Sequence, residues 1–484
     1  MNGTMTFPVQ DHYVDLAAGR FASTSAADLE RIFGNIARCG CQTLVVHFHG
    51  GLNSRADGIQ RVEEMRRTYI DAGAYPLFFV WQSWVSEVIG NGFVSIFDEP
   101  MFQALRAPVR DFVAERIAKT DEAGEGASDG VRGLLREALE RAGAQTERFR
   151  DIAERVFRLH DHERGDVLER YLADPALAAE TKALSERLAG ADAADTGRKT
   201  LLRPEFVDAL RHRWKDFRVG QHLTIAGALV EVTFRVCERY AKGRDHGLEP
   251  TVIEEILRKF YFVEDWFSWM KLQIEDAFQP DVQKFGGTAL LQHLRGMRES
   301  GKPLRTILVG HSAGSIYCCN VVDHAKTMAP GQSFELCFLA PAVTFERFAR
   351  TLASNGEAIS SMRNFALCDA FERKDRWLPR VPDAYPASLL YFTSGLMERD
   401  DARTGDVPVV GMERYYGAVP VDTEDNRTAL TYLGAQRERL CWSGMAGAHP
   451  VLDAEHHSGF DANASVRTVL TSLVRGEPAP AGVR

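Results

Sequence analysis

Ile307-Leu308-Val309-Gly310-His311-Ser312-Ala313-Gly314 is the stretch that decides the fold of this chain. Its apolar first half has the pattern of a buried strand, and the residues after it continue with the pattern of a helix. Gly-x-Ser-x-Gly at such a junction places the serine on a sharp strand-to-helix turn, where small neighbours relieve the crowding of the backbone. The helix also directs its N–H groups towards negative charge forming on a bound oxygen. The pattern predicts that Ser312 is a nucleophile.

Strands and helices alternate on both sides of this stretch. Residues 43–48 form a predicted buried strand, 56–72 a helix and 75–83 the next strand. This order predicts a parallel sheet. Further strands are predicted at 334–341, 364–368 and 439–443, and a last helix at 463–475.

Residues 85–284 interrupt that alternation, because they carry almost no strand pattern and are predicted to form successive amphipathic helices. The predicted fold class is therefore α/β, with a mostly parallel central sheet and a large all-helical insertion between sheet strands. The predicted divisions are 1–84 and 285–476 for the two parts of the sheet domain, 85–284 for the insertion and 477–484 for a tail.

Composition excludes several classes of partner. A net charge of -9 argues against nucleic acid, which selects basic surfaces. No run approaches the ~18 apolar residues of a membrane span, and the first residues do not resemble a secretory signal. The 8 cysteines lie mostly in apolar segments and lack zinc-site spacing, so we expect reduced thiols, no metal and no cofactor. These features predict a cytoplasmic protein.

Two motifs resemble the α/β-hydrolase superfamily: Gly310-His311-Ser312-Ala313-Gly314 and His47-Phe48-His49-Gly50-Gly51. The resemblance covers residues 40–100 and 285–475, and implies a central sheet of α/β-hydrolase type with the helical insertion as its cap. It also implies a triad in the chain order serine, acid, histidine. A serine hydroxyl needs such a histidine to take its proton and such a carboxylate to orient the histidine.

The histidine implied by this order lies in the loop 453–461, before the last helix. His456 and His457 compete for the role. We favour His457, because His-Ser-Gly-Phe is similar to the turn that follows the catalytic histidine in some hydrolases of this fold. His456 would then face solvent or support the site; the alternative is that both are ordinary surface residues.

Three carboxylates follow the strand that ends at Cys368, where the acid is expected. Superfamily acids lie a few residues past the strand with a proline soon after, which favours Asp375. Asp369 is the second choice and Glu372 the third. For each of them, an exposed turn carboxylate or a salt bridge is an equally good interpretation.

The resemblance further implies an oxyanion hole made of two backbone N–H groups. One would come from Ala313, and the other from Gly51 or Leu52. Leu52 stands where esterases of this type have the last glycine of a His-Gly-Gly-Gly turn, so the second donor stays open. Gly50, His49 and His311 are expected to support the site, although His49 also fits a hydrogen-bonded core histidine.

The function implied by the resemblance is that of a serine hydrolase, esterase- or lipase-like, which cleaves an ester, thioester or amide bond of a small-molecule or acyl substrate through an acyl-enzyme. The alternative is a hydrolase-fold protein whose helical insertion binds a protein partner, as a subunit or effector in a larger assembly. A third is an inactive fold used only for binding.

Overall fold

The computed structural model describes residues 7–51, 53–82, 95–122, 157–190, 202–211, 217–261, 264–377, 384–398, 405–417, 423–435, 439–444 and 452–477. Within them lies an eight-stranded sheet with the strand order β2-β1-β4-β3-β5-β6-β7-β8. β2 pairs with β1 in antiparallel fashion, and the other neighbours are parallel. The prediction of an α/β chain with a mostly parallel sheet is confirmed at this coarse level.

The strands are β1 (Tyr13–Ala17), β2 (Arg20–Phe21), β3 (Thr43–Phe48), β4 (Tyr75–Gln82), β5 (Arg305–His311), β6 (Phe334–Leu339), β7 (Ile359–Leu367) and β8 (Leu440–Ser443). The α-helices of the described residues are α1 (Ala26–Cys39), α2 (Arg55–Asp71), α3 (Pro100–Glu122), α4 (Glu163–Leu172), α5 (Pro175–Gly190), α6 (Pro204–Arg211), α7 (Phe217–Ala241), α8 (Leu248–Phe260), α9 (Glu264–Asp276), α10 (Gly286–Glu299), α11 (Gly314–Met328), α12 (Phe345–Asn355), α13 (Asp369–Lys374), α14 (Leu389–Phe392), α15 (Glu424–Gly434) and α16 (Ala464–Arg475).

The first two helices begin where the sequence supplies their caps. Ser25 and Asp28 form a capping box at the start of α1, and Ser54 and Asp57 form another at the start of α2. In each box the serine and the aspartate satisfy N–H groups that the helix itself leaves unpaired. α2 therefore begins only a few residues after β3, and the chain must turn sharply at Gly50 and Gly51.

Apolar side chains alternate between two cores, one on each face of the sheet. Val45 of β3 and Ile307 of β5 point into the core formed with α2 and α16. Val46 and Leu308, their chain neighbours, point into the opposite core, which α1, α10 and α11 cover. This alternation is the period of two expected of strands buried on both faces.

The helices α3 to α9 lie between β4 and β5 in the chain and share the second of these cores, which includes Leu105, Val236 and Ile256. They also share buried ion pairs with the segment that follows α14. The Arg244 guanidinium lies 2.9 Å from Asp406 in this junction. The helical segment and the sheet are thus joined by apolar packing and by buried charge.

The expectation that the cysteines are reduced thiols is wrong for one pair. Cys39 and Cys41, at the end of α1, form a disulfide. The other six cysteines are buried and lie outside any disulfide. Gly40 between the bonded pair ends α1 with a φ of 66°, in the left-handed region that glycine adopts without strain.

No helix in the described parts of the chain combines the length and the apolar composition needed to cross a bilayer.

Candidate active site

Ser312 lies on a strained turn between β5 and α11. Its φ is 52°, in the left-handed region that a side chain disfavours. The turn is held from the next strand, because the Ser312 N–H donates to the Leu339 carbonyl at 2.9 Å. The Ser312 carbonyl in turn accepts from the Ala342 N–H at 3.0 Å. Two main-chain hydrogen bonds to the end of β6 therefore fix the residue that the sequence predicts as the nucleophile.

The glycines on either side of Ser312 allow backbone to approach backbone. A β-carbon at Gly310 would lie 2.7 Å from the carbonyl group of Gly314, and one at Gly314 would lie 2.2 Å from the carbonyl oxygen of Phe48. Neither separation is possible between real atoms, so any larger residue at these positions would force the turn open. The end of β3 is thereby packed directly against the start of α11.

The side chains of Ser312 and His457 meet. The Oγ of Ser312 lies 3.1 Å from the Nε2 of His457, and only 5% and 3% of the two residues is exposed. Burial lowers the pKa of His457 to about 3, an effect that the charge of His311 reinforces and that of Asp461 opposes. The imidazole is therefore neutral at physiological pH, the state in which Nε2 accepts a proton from a hydroxyl.

Asp375 reaches the loop that carries His457, but not the ring of His457 itself. Its Oδ2 accepts from the His457 main-chain N–H at 2.8 Å, and its Oδ1 lies 3.0 Å from the Nδ1 of His456. Within the described part of the chain, the Nδ1 of His457 has no hydrogen-bond partner. Asp375 thus holds the loop by its backbone, while the exposed His456 covers the carboxylate from the solvent side.

The other two candidate acids lie in α13 and have different neighbours. Asp369 accepts a hydrogen bond from the Tyr391 hydroxyl at 2.5 Å and pairs with Arg373 at 2.8 Å, rather than with either histidine. Glu372 is fully buried, and burial, with the charges of Asp375 and Asp369, raises the pKa of its carboxyl well above the usual range. Of the three carboxylates, the structure brings Asp375 to the histidine loop.

The turn after β3 packs against the nucleophile. A β-carbon at Gly50 would lie 3.3 Å from the Cβ of Ser312, and one at Gly51 would lie 3.1 Å from the Cβ of Ala313. The predicted donors Gly51 and Ala313 are therefore neighbours in space. Leu52, the alternative donor, lies outside the described residues.

His49 fixes the orientation of this turn. Its Nδ1 lies 2.7 Å from the Gly50 carbonyl, and its Nε2 accepts from the Trp81 N–H at 3.1 Å. Burial lowers the pKa of His49 to about 4, so the ring is neutral with one donor and one acceptor. Because the C=O and N–H of a trans peptide point in opposite directions, the bond to the Gly50 carbonyl turns the Gly51 N–H away from His49.

α9 covers the other side of the turn. A β-carbon at Gly51 would lie 2.5 Å from the sulfur of Met270, which is itself 1% exposed. The helical segment thus places a flexible apolar side chain beside Gly51, one of the two residues predicted to bind the oxyanion.

One group near the site was not identified from the sequence. Asp461, four residues after His457, is fully buried, and its Oδ2 lies 3.4 Å from Arg61, 3.6 Å from His47 and 3.9 Å from His311. Burial alone would raise its pKa, but the nearby His311, His47 and Arg61 lower it. Asp461 is therefore a buried carboxylate next to His311, the residue that precedes Ser312.

The described residues include no cluster of three or more histidine, cysteine or carboxylate side chains arranged to hold a metal ion. Comparisons with protein-family models, with curated proteins and with solved structures find no match to this chain. The functional interpretation therefore depends on the geometry of the site.

Proposed function

We propose that this chain is a serine hydrolase that cleaves a carboxylic ester through an acyl-enzyme. The observation that carries the proposal is the 3.1 Å contact between the Oγ of Ser312 and the Nε2 of His457 at a strained strand-to-helix turn. A buried neutral imidazole beside a serine is the arrangement that nucleophilic catalysis needs, because the hydroxyl alone is a weak nucleophile.

In the proposed reaction, Ser312 attacks the carbonyl carbon of the substrate while His457 takes its proton on Nε2. His457 then gives this proton to the leaving alcohol as the carbon–oxygen bond breaks, which leaves an acyl group on Ser312. Water, activated by the same histidine, attacks the acyl-enzyme and releases the acid. Asp375 holds the main chain of His457 so that the ring stays within reach of Oγ.

We assign the stabilisation of the negative charge that forms on the carbonyl oxygen to the N–H groups of Ala313 and Gly51. Support comes from the close packing of these two residues and from the start of α11 at the nucleophile, where the helix dipole favours negative charge. His49 sets the direction of the Gly51 N–H through its bond to the Gly50 carbonyl.

We propose that the sheet is of α/β-hydrolase type and that the helices α3 to α9 are its cap. This agrees with the chain order Ser312, Asp375, His457 and with the position of all three beyond the carboxyl ends of parallel strands. The contact of Met270 with Gly51, the shared core and the buried Arg244–Asp406 pair favour a cap over a separate interaction module.

Labelling with a fluorophosphonate probe tests this proposal, because the probe reacts with an activated serine. Ser312→Ala is expected to abolish labelling, whereas Ser300→Ala, at an exposed serine after α10, is expected to leave it unchanged. Undiminished labelling of Ser312→Ala would refute the assignment. Hydrolysis of p-nitrophenyl esters of increasing chain length, alongside an aminoacyl amide, would then identify the substrate class.

A further inference from the structure

Side chains hold the main chain of His457 on both sides of its Cα atom. The His457 N–H donates to the Oδ2 of Asp375 at 2.8 Å, and the His457 carbonyl oxygen lies 3.3 Å from the Nε2 of His311. A carbonyl oxygen only accepts, so the Nε2 of His311 carries the proton in this contact. Because peptide groups are planar, fixing both of them fixes the direction in which the His457 side chain leaves the backbone.

His311 belongs to the nucleophile turn. It is the last residue of β5, directly before Ser312, and only 6% of it is exposed. A β-carbon at Gly50 would lie 3.4 Å from its Nδ1, so the turn after β3 packs against the other edge of the ring. Burial lowers the pKa of His311, so the ring is neutral and carries a single proton. The hydrogen bond to the His457 carbonyl uses this proton.

The ring of His457 takes its orientation from its backbone and from its neighbours. Its Nε2 lies 3.1 Å from the Oγ of Ser312, and within the described ranges its Nδ1 has no hydrogen-bond partner. The ring of His311 lies beside it, with centroids 5.4 Å apart and planes inclined by 32°. His311 therefore contacts both the main chain and the ring of the residue that faces the nucleophile.

We propose that His311 is a positioning residue for the hydrolytic site: it donates to the His457 carbonyl, packs beside the His457 ring, and so holds Nε2 within reach of the Oγ of Ser312. This inference rests on the proposed function, since it concerns the same serine and histidine. Because His311 and Ser312 are adjacent in the chain, this hydrogen bond joins the base directly to the turn that carries the nucleophile.

Three variants of His311 separate the hydrogen bond from the packing. His311→Gln keeps an amide N–H near the position of Nε2, whereas the amide of His311→Asn is one carbon shorter and does not reach the His457 carbonyl. His311→Leu fills similar space without a donor. The matched control is His12→Leu. His12 is also buried, and its Nδ1 donates to the Pro76 carbonyl at 3.0 Å, at the amino end of β4 and thus at the edge of the sheet opposite the site.

The readouts are the inactivation rate constant and the binding constant for a fluorophosphonate, together with the melting temperature. His311→Leu and His311→Asn are expected to lower the rate constant about 10- to 100-fold with unchanged binding of the probe, because a misplaced base slows the reaction step itself. His311→Gln should restore most of the rate. His12→Leu should lower the melting temperature to a similar extent as His311→Leu, but it should label at the wild-type rate.

A His311→Leu rate within about twofold of the wild type would overturn the inference. A rate in His311→Gln as low as that in His311→Leu would also overturn it, because the N–H donor would then be irrelevant. Equal losses of rate in His12→Leu and His311→Leu would attribute the effect to stability and refute positioning. If His311→Leu does not fold, the comparison of His311→Gln with His311→Asn decides, and equal rates refute the proposal. Failure of the wild-type chain to label at Ser312 would instead refute the proposed function itself.

Discussion

Asp375 holds His457 by its main-chain N–H, 2.8 Å from Oδ2, and turns its other oxygen towards the ring of His456. A carboxylate in this position anchors the loop that carries the base. This arrangement differs from that of an acid hydrogen-bonded to the Nδ1 of the catalytic ring, because the charge of Asp375 acts on the imidazole only from a distance. The difference has a measurable consequence for the variants of this residue.

Replacing Asp375 with asparagine is expected to be milder than replacing it with alanine. Asparagine keeps one oxygen that can accept the His457 N–H, whereas alanine removes the anchor. We expect the labelling rate to fall less than about 10-fold in Asp375→Asn and about 10- to 100-fold in Asp375→Ala. His456→Ala, which removes the exposed partner only, is the control and should label like the wild type. Equal, large losses in both Asp375 variants would mean that its charge is what matters.

The labelling rate should lack the decrease at mildly acidic pH that protonation of an ordinary histidine causes. Burial lowers the pKa of His457 to about 3, so the ring stays neutral and able to accept a proton as the pH falls from 7.5 to 5.5. We therefore expect a nearly constant labelling rate over this range. An ordinary histidine, with a pKa of about 6.5, would give about a tenfold decrease. A midpoint near the ordinary value, with circular dichroism showing an intact fold, would contradict the burial of His457 in the active state.

Gly314→Ala should destabilise the protein, because the new β-carbon would lie 2.2 Å from the Phe48 carbonyl oxygen. Two main-chain segments would have to separate, and we expect a loss of about 3 kcal/mol in the free energy of unfolding. Gly34→Ala is the matched control: Gly34 lies within α1 with open space around it. That change should stabilise by about 0.5–1 kcal/mol through helix propensity. Chemical denaturation measures both, and equal effects would refute the close approach at Gly314.

Asp406→Asn tests the buried junction between the helical segment and the sheet. Asp406 pairs with Arg244 at 2.9 Å and accepts from the Tyr415 hydroxyl at 2.8 Å, and all three residues are buried. Removing its charge takes a buried anion from beside Arg244 and from Arg414, 3.7 Å away, which should cost about 3–5 kcal/mol. Glu238→Gln, in an exposed pair with Lys242, should change stability by less than about 0.5 kcal/mol. A melting temperature equal to that of the wild type would show that the junction tolerates the loss of the Asp406 charge.

Much of the sheet was predictable because its strands carry local signals. Continuous apolar runs identified β3, β4 and β5, and the Gly-x-Ser-x-Gly spacing indicated the turn at Ser312. The chain order expected from the resemblance led to the loop 453–461, and the similarity of His-Ser-Gly-Phe to a hydrolase turn favoured His457. The structure brings this histidine within 3.1 Å of Ser312. These signals are contained in short segments, so one sequence suffices to detect them.

The contacts of Asp461 were not predictable in the same way. They join residues from β3, α2, β5 and the loop before α16, and nothing in the local sequence of Asp461 distinguishes it from an exposed turn residue. The buried pairing of Arg244 with Asp406 is equally non-local. The contacts of Asp375 were likewise open, since sequence does not separate a contact with a histidine ring from a contact with the main chain.

The position of the helical segment within the chain also governs how the protein assembles as it is made. β3 lies in the middle of the sheet, yet its neighbour β5, in which Arg305 lies opposite Thr43, is synthesised long afterwards. At ~5–20 residues per second, roughly 13–50 s separate the two strands. During that time one edge of β3 has no neighbouring strand, and its unpaired N–H and C=O groups can pair with another nascent chain. Soluble yield should therefore depend on chaperones that bind the nascent chain before β5 emerges, and slower translation should make that dependence stronger.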